Sequence, residues 1–215
     1  MLKCKIIPVT HYQQNSSLIW CSDTLEAALV YPGGDVELIE QTVQQEGVTI
    51  TKILLTHGHL DHVGGAVALS QKYSVKILGP HADDIYWLSR IPEQAQRMGF
   101  PPANSFEPSV YFNQGDTVNV GKLELEIFHC PGHTPGHIVF FNRESKIAWV
   151  GDVLFKGSIG RTDFPNGNYD DLISSIKNNL WPLGDEVRFI PGHGPMSTFG
   201  HERQTNPFVA DKRFG

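Results

Sequence analysis

Four times along this chain a short apolar run ends abruptly in histidine or aspartate beside glycine. Lys52-Ile53-Leu54-Leu55 runs into Thr56-His57-Gly58-His59-Leu60-Asp61-His62, and Ile127-Phe128 into the segment from His129 to His137, which holds Pro131-Gly132-His133. Ala148-Trp149-Val150 runs into Gly151-Asp152, and Phe189-Ile190 into Pro191-Gly192-His193-Gly194. This pattern constrains the fold more than any other feature. Polar loops that follow strands gather over a rigid base beyond the strand ends, so the four strands must deliver their loops to one shared edge.

The residue types at that edge point to metal. In an extended loop side chains alternate, so His57 and His59 face the same side and can reach one ion, whereas Asp61 and His62 sit at the turn into a helix and aim towards a second. Imidazole and carboxylate ligands suit zinc first, with iron or manganese as alternatives, and a ligand set without cysteine suits an open catalytic site better than a closed structural one. The candidate ligands are His57, His59, Asp61, His62, His133, Asp152 and His193. Burying seven such groups without a cation would be costly. Of the other histidines, His11, His81 and His201 read as surface residues, while His129 and His137 flank a ligand and read as groups that orient or pack against it.

Around these loops the patterning reads as two α/β halves. The first has strands at 4–9, 17–21 and 25–31, an antiparallel meander, then a helix over 35–46, a strand over 50–55, a helix over 62–73 and a strand over 75–78, which closes a βαβ unit. Residues 81–108 carry four prolines and read as short helices and irregular chain, a candidate lid. The second half has strands at 110–112, 117–120, 123–129, 138–141 and 147–150, a helix over 169–180, a strand over 187–190 and a short C-terminal helix. Each half must cover its sheet, so the expected architecture is α/β (α+β), a four-layer αβ/βα sandwich with the sheets face to face, forming one domain over residues 1–215.

The formal net charge of -6 leaves no basic footprint for nucleic acid or an anionic membrane. The N-terminus lacks a signal-peptide pattern, and no run approaches the roughly 18 apolar residues of a membrane span, so a cytoplasmic location is expected. Cys4, Cys21 and Cys130 form no C-x-x-C pair and read as buried small hydrophobes.

The segments "THGHLDHVGG", "PGHTPGH", "GD" and "PGHG", in that order, resemble the metallo-β-lactamase superfamily of hydrolases and, within it, the glyoxalase II-like branch. The resemblance spans nearly the whole chain. It implies the metallo-β-lactamase fold and two metal ions, with His57, His59 and His133 on the first, Asp61, His62 and His193 on the second, and Asp152 bridging. The expected nucleophile is a hydroxide bridging the metals and oriented by Asp61, so no protein nucleophile is needed. Similar proteins hydrolyse thioesters such as S-lactoylglutathione to a hydroxy acid and free glutathione, the second step of methylglyoxal detoxification. The chain is thus expected to take a small-molecule thioester as monomer or homodimer.

Two departures from the family pattern and one rival activity bear on this reading. Larger type II glyoxalases add a C-terminal helical domain that grips glutathione, whereas little sequence follows His193 here, so the short, single-domain enzymes are the better match. Core loops must then hold the thiol, and "GSIGRTDFPNG" is the candidate: Arg161 would contact the substrate, with Asp163, unless the two form a structural pair. Tyr31 stands where relatives commonly have an aspartate, which implies altered metal affinity. The alternative activity is that of glutathione persulfide dioxygenases, single-iron enzymes that "GRTDF" also resembles but that tend to have cysteine in place of His137.

Overall fold

In the computed structural model, which describes residues 1–213, the chain opens with strands β1 (Leu2–Val9), β2 (Gln14–Cys21) and β3 (Glu26–Val30). Helix α1 (Val36–Glu46) and strand β4 (Thr49–Leu54) follow, then α2 (Leu60–Val63), α3 (Ala66–Tyr73) and β5 (Lys76–Leu78). Together the strands make a five-stranded sheet in the order β1-β2-β3-β4-β5, antiparallel through β3 and parallel from β3 to β5. A 3-10 turn at Ala82–Asp84 and helices α4 (Ile85–Leu88) and α5 (Ile91–Met98) connect the halves. The second half contains β6 (Thr117–Val120), β7 (Leu123–His129), β8 (Ile138–Asn142), β9 (Ile147–Gly151), a small hairpin of β10 (Leu154–Phe155) and β11 (Ser158–Ile159), α6 (Tyr169–Ser175), β12 (Arg188–Pro191), β13 (Ser197–Thr198) and α7 (Phe199–Thr205). Its main sheet has six strands, ordered β13-β12-β9-β8-β7-β6.

Strand alternation sorts the apolar side chains into three packed layers. From β3, Ala27 and Leu29 face outward to Ile39 and Val43 of α1, while Ala28 and Val30 face inward. From β9, Ile147 and Trp149 face inward, while Ala148 and Val150 meet Leu172 of α6 and Phe199 of α7. Both sheets therefore bury both faces, which is why β3, β8 and β9 read as near-continuous apolar runs. This is the expected αβ/βα sandwich. No helix among the described residues is long and apolar enough to cross a membrane.

Some expected elements differ. The run at 110–112 forms only an isolated bridge from Val110 to Leu78, because Pro108 and the turn after Phe112 leave too little chain to extend it. The helix expected over 62–73 is broken at Gly64-Gly65, where the loop after β3 packs so closely that a Cβ on Gly64 would meet the Gly33 carbonyl oxygen at 2.6 Å. The helix over 169–180 keeps α-geometry only to Ser175 and continues as a π-turn from Ile176 to Leu180. Strands of two residues, β10, β11 and β13, are too short for alternation to register.

Tyr31 ties the halves together. It follows β3, is fully buried in the layer between the sheets, and donates its hydroxyl to the Ile190 carbonyl of β12 at 3.2 Å. Tyr31→Phe removes only that bond and is expected to cost about 1 kcal/mol of unfolding free energy, whereas Tyr31→Asp adds a cavity and a buried carboxylate and should cost about 3 kcal/mol or more. Urea denaturation of the two variants measures the difference; equal losses would show that the hydroxyl, not the ring, is what the core needs.

Candidate metal centre

Four strand ends supply the centre. Chain leaving β4 carries His57 and His59; α2 begins at Leu60, so Asp61 and His62 fall in its first turn. His133 lies in the loop from β7 to β8, Asp152 directly after β9, and His193 two residues after β12. All seven are buried except His193, which is half-buried.

The ligand-capable atoms converge. His133 Nε2 lies 3.0 Å from His59 Nδ1. Asp152 faces both sides of the cluster: its Oδ1 is 3.3 Å from His62 Nε2, and its Oδ2 is 3.5 Å from His133 Nε2 and 3.9 Å from His193 Nε2. Asp61 Oδ2 is 3.1 Å from His193 Nε2 and 3.6 Å from His62 Nε2. Three groups at this edge have donor atoms mutually within 4.8 Å: His57, His59 and His133; His57, His62 and Asp152; and Asp61, His62 and His193; a fourth, His81, Asp83 and His129, is made of other residues.

This donor set fits metal. Nitrogens bound to one zinc at 2.0–2.1 Å stand roughly 3.4 Å apart, close to the spacings seen here. Buried atoms His57 Nε2, His62 Nε2 and Asp152 Oδ1 have no hydrogen-bond partner among the described residues, a costly state that a cation would relieve. The opposite ring nitrogens are engaged: His133 Nδ1 bonds the Arg161 carbonyl at 2.8 Å, His193 Nδ1 the Tyr12 carbonyl at 3.1 Å, and His57 Nδ1 the Thr56 hydroxyl at 3.1 Å. The carbonyl partners require Nδ1–H on His133 and His193 and leave Nε2 to ligate, while the Thr56 hydroxyl, able to donate or accept, holds the His57 ring in place.

Electrostatics agree. Burial, chiefly, lowers the pKa of His57, His59 and His133, so these rings are neutral with lone pairs available. Burial works against ionisation of Asp61 and Asp152, but His62 and its neighbouring histidines outweigh it and both carboxyls fall below the usual range. His193 goes the other way. Burial opposes its charge, yet the bond to Asp61 and the field of Asp152 lift its pKa to about 9.

The glycines beside the ligands are explained by close approach. A Cβ on Gly192 would stand 2.1 Å from Asp152 Oδ1, and one on Gly33 would stand 1.6 Å from the Asp61 carbonyl oxygen. His137, buried, accepts the Asp152 backbone N–H at 3.0 Å and stacks on His57 with ring centroids 4.5 Å apart, so it packs and positions. His11 and His201 are exposed, as expected, but His81 is half-buried and stacks on His129 at 4.2 Å. Ring nitrogens of this pair are already engaged, His129 Nε2 with the Pro135 carbonyl at 2.9 Å and His81 Nδ1 with the Asp83 N–H at 3.2 Å. Tyr31 meets His62 with its ring edge, centroids 5.7 Å apart, and gives no hydrogen bond to it.

Above the cluster lies a cleft of about 590 Å³ with walls from Tyr12, Trp87, Met98, Phe155, Ile159 and Phe164, and with Arg97 and Arg161 lining it. The hairpin β10–β11 forms one side. It is braced from α7, where buried Glu202 accepts the Gly157 N–H at 2.8 Å and Asn206 donates to the Ser158 carbonyl at 3.0 Å.

Two residues that sequence reasoning passed over hold the ligand loops. Asp84, fully buried, accepts the Gly58 N–H at 2.7 Å, the Thr134 hydroxyl at 2.9 Å and the Gly136 N–H at 2.6 Å, joining the His57–His59 loop to that of His133. Gln94 of α5 accepts the Leu60 N–H at 2.9 Å and donates to the Gly58 carbonyl at 3.2 Å. The segment read as a lid is, over residues 84–94, a clamp on the ligand loops. No motif marks either residue; a buried acid with three donors is visible only in three dimensions. Asp84→Ala strands those donors and is expected to cost about 3 kcal/mol and to lower the metal bound per chain, whereas Asp84→Asn should lose less. Thermal unfolding with elemental analysis checks this, and unchanged metal content in Asp84→Ala would refute the clamp.

Comparison with known proteins agrees with the geometry. The model of the Metallo-beta-lactamase superfamily matches residues 9–193. The chain is 48% identical over 212 residues to "Hydroxyacylglutathione hydrolase GloC" of Haemophilus influenzae, covering 98% of this chain and 100% of that protein. Among solved structures it is similar to the BLEG-1 B3 metallo-beta-lactamase, with TM-score 0.89, 32% identity and coverage of 96% and 99% of the two chains. It is also similar to TTHA1623 in a di-iron-bound form, with TM-score 0.87, 32% identity and coverage of 95% and 100%. ETHE1 from Myxococcus xanthus follows with TM-score 0.79, 26% identity and coverage of 97% and 84%. With a buried His/Asp cluster at the converging strand ends of an αβ/βα sandwich and a family match over most of its length, the chain belongs to the metallo-beta-lactamase superfamily.

Proposed function

We propose that this protein is a thioester hydrolase that cleaves glutathione thioesters such as S-lactoylglutathione to a hydroxy acid and the free thiol, and that two divalent ions serve it. The observation that carries the reading is the pair of ligand groups, His57, His59 and His133 beside Asp61, His62 and His193, with the Asp152 carboxylate facing both. End-to-end similarity to a hydroxyacylglutathione hydrolase supports the substrate class. Zinc suits the donors, and iron or manganese remain alternatives; the di-iron form of a similar protein keeps iron in view.

In the proposed assignment, His57, His59 and His133 hold one ion, Asp61, His62 and His193 the other, and Asp152 lies between them. Such a pair supplies Lewis acidity, which makes water easier to ionise and polarises a carbonyl. The chain does the rest. Asp61, ionised at neutral pH and bonded to His193, orients the attacking water through its carboxylate. The apolar walls of the cleft receive the acyl group and exclude bulk water. Cys130 takes no part as a nucleophile: it is fully buried, and desolvation lifts its thiol to about 12.

The decisive assay follows thiol release from S-lactoylglutathione by metal-restored protein. Asp152→Ala and His59→Ala are expected to lower kcat/KM about 1000-fold or more, while Cys130→Ala stays within about threefold. Comparable losses in all three, or oxygen uptake with glutathione persulfide in place of thiol release, would sink the hydrolase reading.

Loading with metal should depend on pH in a defined sense. His193, with a pKa raised to about 9, carries a proton at pH 7 that an ion at its site must displace, so affinity there rises with pH up to about 9. His57, His59 and His133, all with lowered pKa, impose no such cost near neutrality. Titration with zinc at pH 6 and pH 8 is expected to show one site weakening by about 100-fold at the lower pH and the other little changed. Parallel weakening of both would contradict the proposed division of ligands.

A further inference from the structure

The cleft holds two arginines whose surroundings differ. Arg161, which the sequence singles out, is bound twice to Asp163, at 2.9 Å and 2.8 Å, and its guanidinium lies 4.4 Å from the centre of the Phe164 ring. Its charge is already matched, so a substrate carboxylate would have to displace a bidentate partner before gaining one. What Arg161 gives the centre is its backbone carbonyl, on His133 Nδ1. Arg97 lines the same cleft from the last turn of α5, is exposed, and has no hydrogen bond or acidic partner among the described residues. Glu93, one turn earlier, pairs with Arg90 at 3.4 Å. The other acids lining the cleft, Asp61 and Asp152, are turned to the histidines.

Arg97 is also well placed to measure a distance. Gln94, one turn back on α5, is bonded to the Leu60 N–H and the Gly58 carbonyl, within the loop that carries His57, His59 and Asp61. The helix is thereby anchored to the ligand loop, which sets where the Arg97 side chain projects from relative to the metal centre. Tyr12, whose hydroxyl donates to the Met98 carbonyl at 3.5 Å, flanks it and carries the carbonyl bonded to His193.

We propose that Arg97 is the subsite for a carboxylate on the thiol half of the substrate, so that preference for an acidic thiol is set by α5 and not by the loop of Arg161. This rests on the thioester hydrolase reading. An uncompensated guanidinium recognises a carboxylate by paired N–H···O bonds, and the side chain at position 97 acts on binding, not on the reacting bond.

The test uses the full chain loaded with zinc, S-methylglutathione as a ligand without a scissile bond, its carboxylate diester, and S-lactoylglutathione as substrate. Arg97→Ala is expected to weaken S-methylglutathione binding roughly tenfold by calorimetry and to raise KM for S-lactoylglutathione by a similar factor, with kcat within about twofold. Arg97→Lys should recover part of the loss, and Arg161→Ala should have the smaller effect. Arg143→Ala, remote from the cleft and paired with Glu126, is the control. Wild type should bind the diester roughly tenfold more weakly than the acid, and Arg97→Ala should no longer discriminate. Binding unchanged in Arg97→Ala, or lost only in Arg161→Ala, overturns the subsite while leaving the hydrolase reading intact. Arg97-dependent binding without thiol release overturns the hydrolase reading and keeps the subsite; no binding of S-methylglutathione to wild type overturns the subsite, and together with no thiol release it overturns both.

Discussion

The structure depends on one constraint: imidazoles and carboxylates stripped of water must have partners. Seven such side chains meet where strands from two facing sheets end, and several of their buried atoms have no hydrogen-bond partner among the described residues. Left bare, that arrangement opposes folding, and a cation among the donors would relieve the cost. The glycines, the short first turn of α2 and the flat packing of the loop after β3 all follow from bringing backbone close enough for those atoms to converge.

Convergence alone would leave the loops loose, and the chain between the sheets prevents that. Asp84 joins the first and second ligand loops through three hydrogen bonds, and Gln94 grips the first loop from the other side. His133, His193 and His57 are each turned by a bond on the nitrogen that faces away from the centre. The ligand loops are thus tied at several points, and above them aromatic walls and Arg97 border an open cleft. The clamp and the cleft share α5, so the element that steadies the ligand loop also presents the free cation.

Much of the fold was legible without coordinates. The doubly buried strands announce themselves as apolar runs, the meander and the βαβ unit follow from turns and helical spacing, and His57, His59, Asp61 and His62 lie together in one heptapeptide. Legibility failed where short range gives no signal: two-residue strands such as β10 and β13, the break at Gly64-Gly65, and the run at 110–112, where isolated β-propensity lacked a partner long enough to pair. At Arg161 the sequence left two readings open, a substrate contact and a structural pair with Asp163, and in three dimensions the two side chains are paired.

By itself the sequence determined the ligand types, their strand-end placement and the layering of the core, because hydrophobic period and residue chemistry are local properties of the chain. Only the tertiary structure decided which nitrogens face inward, how far Asp152 stands from each ligand group, that Asp84 and Gln94 lock the loops, and which of the cleft's two arginines lacks a partner among the described residues. Those outcomes turn on distances between residues far apart along the chain, and such distances exist only once the two sheets have closed on each other.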